Sequence, residues 1–251
     1  MKGKSVLAMA VLLLGLRASA HAAETVVLTT LEWPPYTGLN LPRDGVSAAV
    51  VSAAFAAEGV TVRYVFLPWN RAIDAARHGA ADGFFPAYKR PANPRWVVSQ
   101  VIGTGPLYFV ERKADPVSWT SLDDLRGRLI GVDSGFVNTA EIDTRLADGR
   151  LHGDVADTDF QNLEKLASRR IDLAIIDANV FRFLLAKPEA ARFAPLLQLQ
   201  ARPLESKDLF VEFRNDARGQ RFRTLLNLGL IKIHATTPEA IGALQDQLVG
   251  R

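Results

Sequence analysis

One turn is spelled twice in this chain. Ala76-Arg77-His78-Gly79-Ala80-Ala81-Asp82-Gly83 and Ala167-Ser168-Arg169-Arg170-Ile171-Asp172-Leu173 each end a helical pattern, turn, and set an aspartate ahead of an apolar strand. A helix-to-strand turn repeated in this way predicts an α/β chain built as two similar lobes, each a small sheet flanked by helices. Around the first turn, Val26 to Thr30 reads as a strand, and Asp44 as the N-cap of a helix running to Glu58 with Gly59 as its stop. Val60 to Phe66 alternates as a strand, Trp69 to His78 has helical spacing, and Ala81 to Phe85 is a third strand.

The second lobe follows the same grammar. Ser121 caps a short helix with Asp124 three residues on, and Arg128 to Val132 reads as a strand. Ser134-Gly135 turns into a helix from about Val137 to Leu146. Phe160, Leu163, Leu166 and Ala167 mark a helical face that leads into a strand from Ile171 to Ile176, ending at Asp177. Leu107 to Glu111 carries the chain into the second lobe and Leu209 to Phe213 returns it. Two crossings make a hinge with a cleft between the lobes. A helical pattern then covers Asp216 to Leu228, and a last helix starts at Thr236 or Thr237. The expected division is 23–106 with 209–251 as lobe one and 107–208 as lobe two.

Residues 1–22 read as a signal peptide. Lys2 and Lys4 precede the apolar run Val6 to Leu16, and Ala18-Ser19-Ala20 or Ala20-His21-Ala22 supplies the small-x-small cleavage pattern. A membrane span needs about 20 apolar residues, and Arg17 interrupts this run well short of that. Lys2, Lys4 and Arg17 also account for the formal charge of +3, so the mature chain is neutral and offers no basic surface for nucleic acid. The chain has no cysteine, which excludes disulfides and a lipid-bearing N-terminal thiol. A soluble periplasmic product follows, stable through its core alone; roughly 230 residues suffice for that.

Three stretches at strand ends carry the chemistry: Glu32-Trp33-Pro34-Pro35-Tyr36, Pro68-Trp69-Asn70-Arg71 and Asp82-Gly83-Phe84-Phe85-Pro86-Ala87-Tyr88. In open α/β sheets, ligands are held at such ends. On the residues alone, Trp33, Tyr36 and Trp69 divide between core and cleft lining. Asp177 divides evenly between a helix N-cap and a carboxylate facing a wet cleft. Ser134-Gly135, opening a helix, offers a seat for an anion, although an ordinary turn explains the same spacing. Metal binding and a cofactor are not implied. His21, His78, His152 and His234 are never paired at ligand spacing, and no phosphate loop, dinucleotide fingerprint or G-x-S-x-G elbow is present.

Taken together, these stretches resemble the family 3 periplasmic solute-binding proteins, the polar-amino-acid-binding type of the ABC transport systems. The resemblance spans the mature chain. It rests on Trp33-Pro34-Pro35-Tyr36, on Phe66-Leu67-Pro68-Trp69-Asn70-Arg71-Ala72 and on Asp82-Gly83-Phe84-Phe85-Pro86. In the second lobe it rests on Ser121-Leu122-Asp123-Asp124-Leu125-Arg126-Gly127-Arg128-Leu129-Ile130-Gly131-Val132 and Ile171-Asp172-Leu173-Ala174-Ile175-Ile176-Asp177. It implies a monomeric clamshell that closes on a small solute and presents it to an inner-membrane permease. A periplasmic sensor feeding a receptor is the nearest alternative. The resemblance puts Trp33 and Trp69 against the ligand, Asp177 at its amino group, and Ser134-Gly135-Phe136-Val137 where second-lobe backbone meets it. Glu32, Tyr36, Arg71, Tyr88 and Asp133 complete the expected lining.

One departure matters. The family's carboxylate-binding arginine falls at Ala92 or Asn93 here, and neither can replace a guanidinium fork. Arg71, Arg90 and Arg95 remain as substitutes. With Asp133, Asp177 and Glu32 outnumbering any base, and Trp33 and Trp69 available for cation–π contact, the expected ligand bears an amine. Catalysis is not expected. The enzymatic alternative is a cyclohexadienyl-dehydratase-like activity with Glu32 as general acid, but its acidic substrates sit badly with the absent arginine.

Overall fold

The computed structural model describes residues 24–236, so the expected signal peptide and the last predicted helix lie outside the described residues. Strands β1 (Glu24–Thr30), β2 (Val60–Phe66) and β3 (Gly83–Tyr88) alternate with helices α1 (Val46–Ala56) and α2 (Trp69–Arg77). β1 is the middle strand, parallel to both neighbours. Strands β4 (Trp96–Val98) and β5 (Gly103–Arg112) follow. The pattern then repeats with β6 (Leu129–Asp133), α3 (Ala140–Ala147), β7 (His152–Ala156), α4 (Asp159–Ala167) and β8 (Leu173–Asp177). Here β6 is the middle strand, parallel to β7 and β8. Helix α5 (Ala178–Leu185), the long strand β9 (Leu197–Arg214) and helix α6 (Ala217–Thr236) complete the order.

The two β-α-β-α-β units are joined into one sheet path, β2-β1-β3-β9-β5-β8-β6-β7. β9 pairs antiparallel with β5 from Leu197 to Leu209 and with β3 and β4 from Leu209 to Arg214. β5 in turn pairs antiparallel with β8. The repeated turn has a shared cause. Asp82 accepts from the Val27 N–H of β1 at 2.9 Å, and Asp172 accepts from the Leu129 N–H of β6 at 2.9 Å. In each lobe the aspartate ties the start of the third strand to the middle one.

Burial of apolar side chains, about 25 cal/mol per Å² removed from water, holds each lobe. Phe55, Phe213 and Phe222 are fully buried and meet edge to face at 6.1–6.4 Å where α1 and α6 cover one side of the first sheet. Phe84 packs between Trp69 and Trp96 on the other side. In the second lobe Phe109, Leu125, Ile130, Ile142, Leu151 and Leu173 form the core.

Three local expectations are corrected. Asp44 does not cap α1; it sits at φ 61°, and the helix begins two residues later behind Gly45. The first helical N–H groups are instead met by the carbonyls of Pro35 and Tyr36, at 3.0 and 2.9 Å, so the loop after β1 does the capping. The helix expected from Val137 begins at Ala140, where the Thr139 side chain accepts from the Ile142 N–H and Asp143 reaches back to Asn138. Ser134-Gly135 therefore opens a loop rather than a helix, and the Ser134 and Phe136 N–H groups already donate to Ala156 and Asp133. Finally, α6 runs unbroken past Leu228 to Thr236. The capping box at Ser121 and Asp124 is present, on a single 3-10 turn (Leu122–Leu125).

Candidate ligand-binding cleft

The parallel strands of both lobes end toward one another, so the loops after β1, β2, β3, β6, β7 and β8 face across a cleft. After β1 the Trp33 N–H donates to the Thr37 carbonyl at 2.9 Å, and the Tyr36 N–H donates to the Trp33 carbonyl at 3.0 Å. This tight turn stacks the two rings at 4.6 Å. Both are buried, but at the lobe boundary: the Trp33 Nε1–H donates to Asp159 of the second lobe at 3.1 Å, and the Tyr36 hydroxyl to Asp177 at 3.0 Å. Both rings are thus buried, and Trp33 also lines the small spaces described below.

Asp177 has its two oxygens in different surroundings. Its Oδ1 accepts from the Asn179 and Val180 N–H groups, capping α5. Its Oδ2 faces the cleft and accepts from Tyr36 and, at 3.4 Å, from Tyr88. The carboxylate is 2% exposed. Burial pushes its pKa up to about 7, against the pull of the two N–H groups and Tyr36, and the charge of Asp159 adds to the rise. Gly105 on β5 makes room for it: a Cβ there would lie 2.0 Å from Asp177 Oδ2.

Asp133 and Asp159 form a second acidic group. They lie close enough for each to perturb the titration of the other. Burial raises both; Asp133 reaches about 6, and Asp159 lies well above the ordinary carboxylate range. Asn162 donates to Asp133 at 2.9 Å. Asp159 was missed from the sequence. It opens α4 behind the cap Thr158, at the C-terminal end of β7, and that position was the available signal.

The lobes are in contact. Phe136 inserts its ring between Trp33 and Trp69, 5.9 Å from each. The Trp69 Nε1–H donates to the Gly135 carbonyl at 3.2 Å, and Asn70 to Ser134 at 2.9 Å. Two small spaces lie beside these contacts, of about 20 and 10 Å³. The larger is lined by Trp33, Trp69, Tyr88, Arg90, Gly135 and Phe136, among others. The smaller lies among Trp33, Tyr88, Phe136 and the three aspartates Asp133, Asp159 and Asp177. A third cavity of about 190 Å³ is lined by Glu32, Asp157, Asp159 and Lys187, among others.

Of the expected residues, Trp33, Tyr36, Trp69, Tyr88, Asp133, Ser134, Phe136 and Asp177 come together here. Glu32 stays exposed at the rim, accepting from the Leu39 N–H at 2.9 Å. Arg71 is exposed on α2 and lines none of these three spaces. Lys207 on β9 was not anticipated; it donates to the Asn138 carbonyl at 2.7 Å and sits 5.5 Å from the Tyr88 ring, bracing the crossing. Among the described residues no cluster of side chains could hold a metal ion, and no helix is long and apolar enough to cross a membrane.

No family model matches this chain, and no curated protein matches its sequence. Solved structures do match. A histidine kinase sensor domain with similarity to periplasmic binding proteins superposes with a TM-score of 0.75 at 18% identity, covering 90% of this chain and 96% of that one. An amino acid ABC transporter substrate-binding protein from Streptococcus pneumoniae, bound to L-arginine, gives 0.72 at 14%, covering 90% and 94%. An ancestral amino-acid-binding protein, a precursor of cyclohexadienyl dehydratase, gives 0.67 at 16%, covering 90% and 95%. The chain therefore has the two-lobed clamshell fold that periplasmic binding proteins share with such sensor domains.

Proposed function

We propose that this protein binds a small, polar, amine-bearing solute between its lobes and delivers it to an inner-membrane permease. The observation that carries this is the cleft face of Asp177. It is a buried carboxylate at a lobe boundary, and its hydrogen-bond partners are hydroxyls and backbone amides rather than a cation. A buried carboxylate is costly without a positive partner. A ligand ammonium group at Oδ2 would supply one and return the carboxylate to its ionised form. The Asp133–Asp159 pair adds demand for positive charge beside it, and the rings of Trp33 and Trp69 flank the space.

Residues 23–106 with 209–251 act as one lobe and 107–208 as the other, with β5 and β9 as the hinge. Admission requires the lobes to part, because spaces of about 20 and 10 Å³ hold no more than a water molecule or so. Ligand then selects the closed state. Residues 1–22 direct export to the periplasm and are removed, leaving a soluble monomer. A sensor handing occupancy to a receptor would use the same cleft. Binding without turnover is favoured because Glu32, the general acid of the enzymatic reading, is exposed and tied to Leu39 rather than buried against a substrate.

Native mass spectrometry of protein purified from the periplasm tests the reading. A bound amine of small mass, released on unfolding, is the expected result. A co-purified ligand with no basic nitrogen overturns it.

A further inference from the structure

Lys207 is the one buried lysine among the described residues. It lies on β9 opposite Gly105 of β5, where the two strands cross between the lobes. An ammonium taken out of water is costly unless its donors are met. The partners of this one come from both lobes. Its Nζ donates to the Asn138 carbonyl at 2.7 Å, lies 3.4 Å from the Glu205 carboxylate, and stands 5.5 Å from the centre of the Tyr88 ring, within cation–π range. Asn138 is itself fixed to α3, because its N–H and its side-chain amide both donate to Asp143. Just before it, Phe136 inserts between Trp33 and Trp69. Tyr88, on β3 of the first lobe, donates its hydroxyl to Asp177 at 3.4 Å. One side chain thus touches both the loop that carries Phe136 and the ring that reaches Asp177.

We infer that Lys207 is a positioning residue for solute binding: it clasps the lobes together from the hinge without touching the solute. This rests on the two-lobed closure of the proposed function and not on which solute is bound. Tyr88 travels with the first lobe and Asn138 with the second. Lys207 sits where β9 passes from one to the other, so it cannot follow both when the lobes part. Opening therefore strips the ammonium of either the ring or the carbonyl, and its full set of partners exists only when the lobes meet. Lys207 lines neither small space of the cleft, so it acts on the balance between open and closed. A residue that raises the closed fraction raises the affinity for whatever the closed form holds.

Distances between paired spin labels, measured without solute, test this. The chain has no cysteine, so Asp74→Cys on α2 and Gln161→Cys on α4, both exposed, carry one label each. The labelled wild type should show a short, closed distance beside a longer, open one. Lys207→Met keeps the apolar stem but removes the ammonium, and it should lower the closed-to-open ratio by about tenfold or more, as the loss of a hydrogen bond from a charged donor implies. Lys207→Arg restores the charge and should recover part of the loss. Both variants should keep the unfolding midpoint of wild type, which separates closure from folding. Tyr88→Leu removes the ring from the other side of the clasp and should shift the ratio the same way, whereas Tyr88→Phe, which keeps the ring, should shift it less. An unchanged distribution in Lys207→Met overturns the inference. So does a shift that Lys207→Arg fails to relieve, or equal shifts in the two Tyr88 variants. No solute enters the measurement, so such a failure leaves the amine reading standing, and a failure of that reading leaves the clasp.

Discussion

Replacing Asp177 by asparagine should make the empty protein more stable in mild alkali, although the residue caps a helix. The folded-state pKa of Asp177 is about 7 against an ordinary value of 3.8. A carboxyl raised in this way contributes stability that is full below about pH 4 and is lost as the pH climbs through 7. The separation of roughly three units corresponds to on the order of 4 kcal/mol across that window. Asparagine resembles the protonated acid: its carbonyl can still accept from the Asn179 and Val180 N–H groups, and its amide can donate to the Tyr36 and Tyr88 hydroxyls. Urea unfolding followed by tryptophan fluorescence at pH 5 and pH 8 reads the difference. Wild type should lose about 2–3 kcal/mol between those values from this group, and Asp177→Asn should lose correspondingly less. Asp177→Ala gives up the cap as well and should be about 1 kcal/mol less stable than Asp177→Asn at both values. If Asp177→Asn destabilises the protein equally at pH 5 and pH 8, the carboxylate is not strained by burial and the argument for a missing cation fails.

Two glycine substitutions probe the cleft from its walls. Gly135 has φ +77°, and a Cβ there would lie 2.0 Å from Asn70 Oδ1, so Gly135→Ala should hinder lobe contact. Small-angle scattering should show wild type contracting on binding and Gly135→Ala contracting less; equal contraction would remove the Gly135–Asn70 contact from the closing mechanism. Gly105→Ala drives a methyl group against Asp177 Oδ2, and titration should find solute affinity reduced by tenfold or more, the effect of about 1.4 kcal/mol. Undiminished affinity there would mean that the solute does not depend on the position of that carboxylate.

The repeated architecture was legible because the same residues do the same work twice: Asp82 and Asp172 each fasten a third strand to a middle strand. Strand β7 was not, and the reason is exposure. Its residues His152 to Ala156 are mostly exposed on a sheet edge, so no alternation of apolar and polar side chains is imposed on them. Missing β7 hid Asp159, which takes its meaning from following a strand end. The α1 start was misplaced because its cap comes from the carbonyls of Pro35 and Tyr36, and capping by backbone from another loop leaves no residue signature at Asp44. The rings and Asp177 were singled out by their place at strand ends, and the structure brings them together. Arg90 stood level with Arg71 and Arg95 in the sequence, and only the fold places it beside Trp33, Trp69 and Tyr88.

The account stands most directly on the affinity of Asp177→Asn for the solute that copurifies with wild type. Titration calorimetry at pH 8, where the wild-type carboxylate can ionise against the ligand, measures it. Loss of a buried charged partner typically costs about 2–5 kcal/mol, so the variant should bind at least about thirtyfold more weakly while remaining folded. Equal affinity for wild type and Asp177→Asn would contradict the claim that Asp177 is the anchor for an amine.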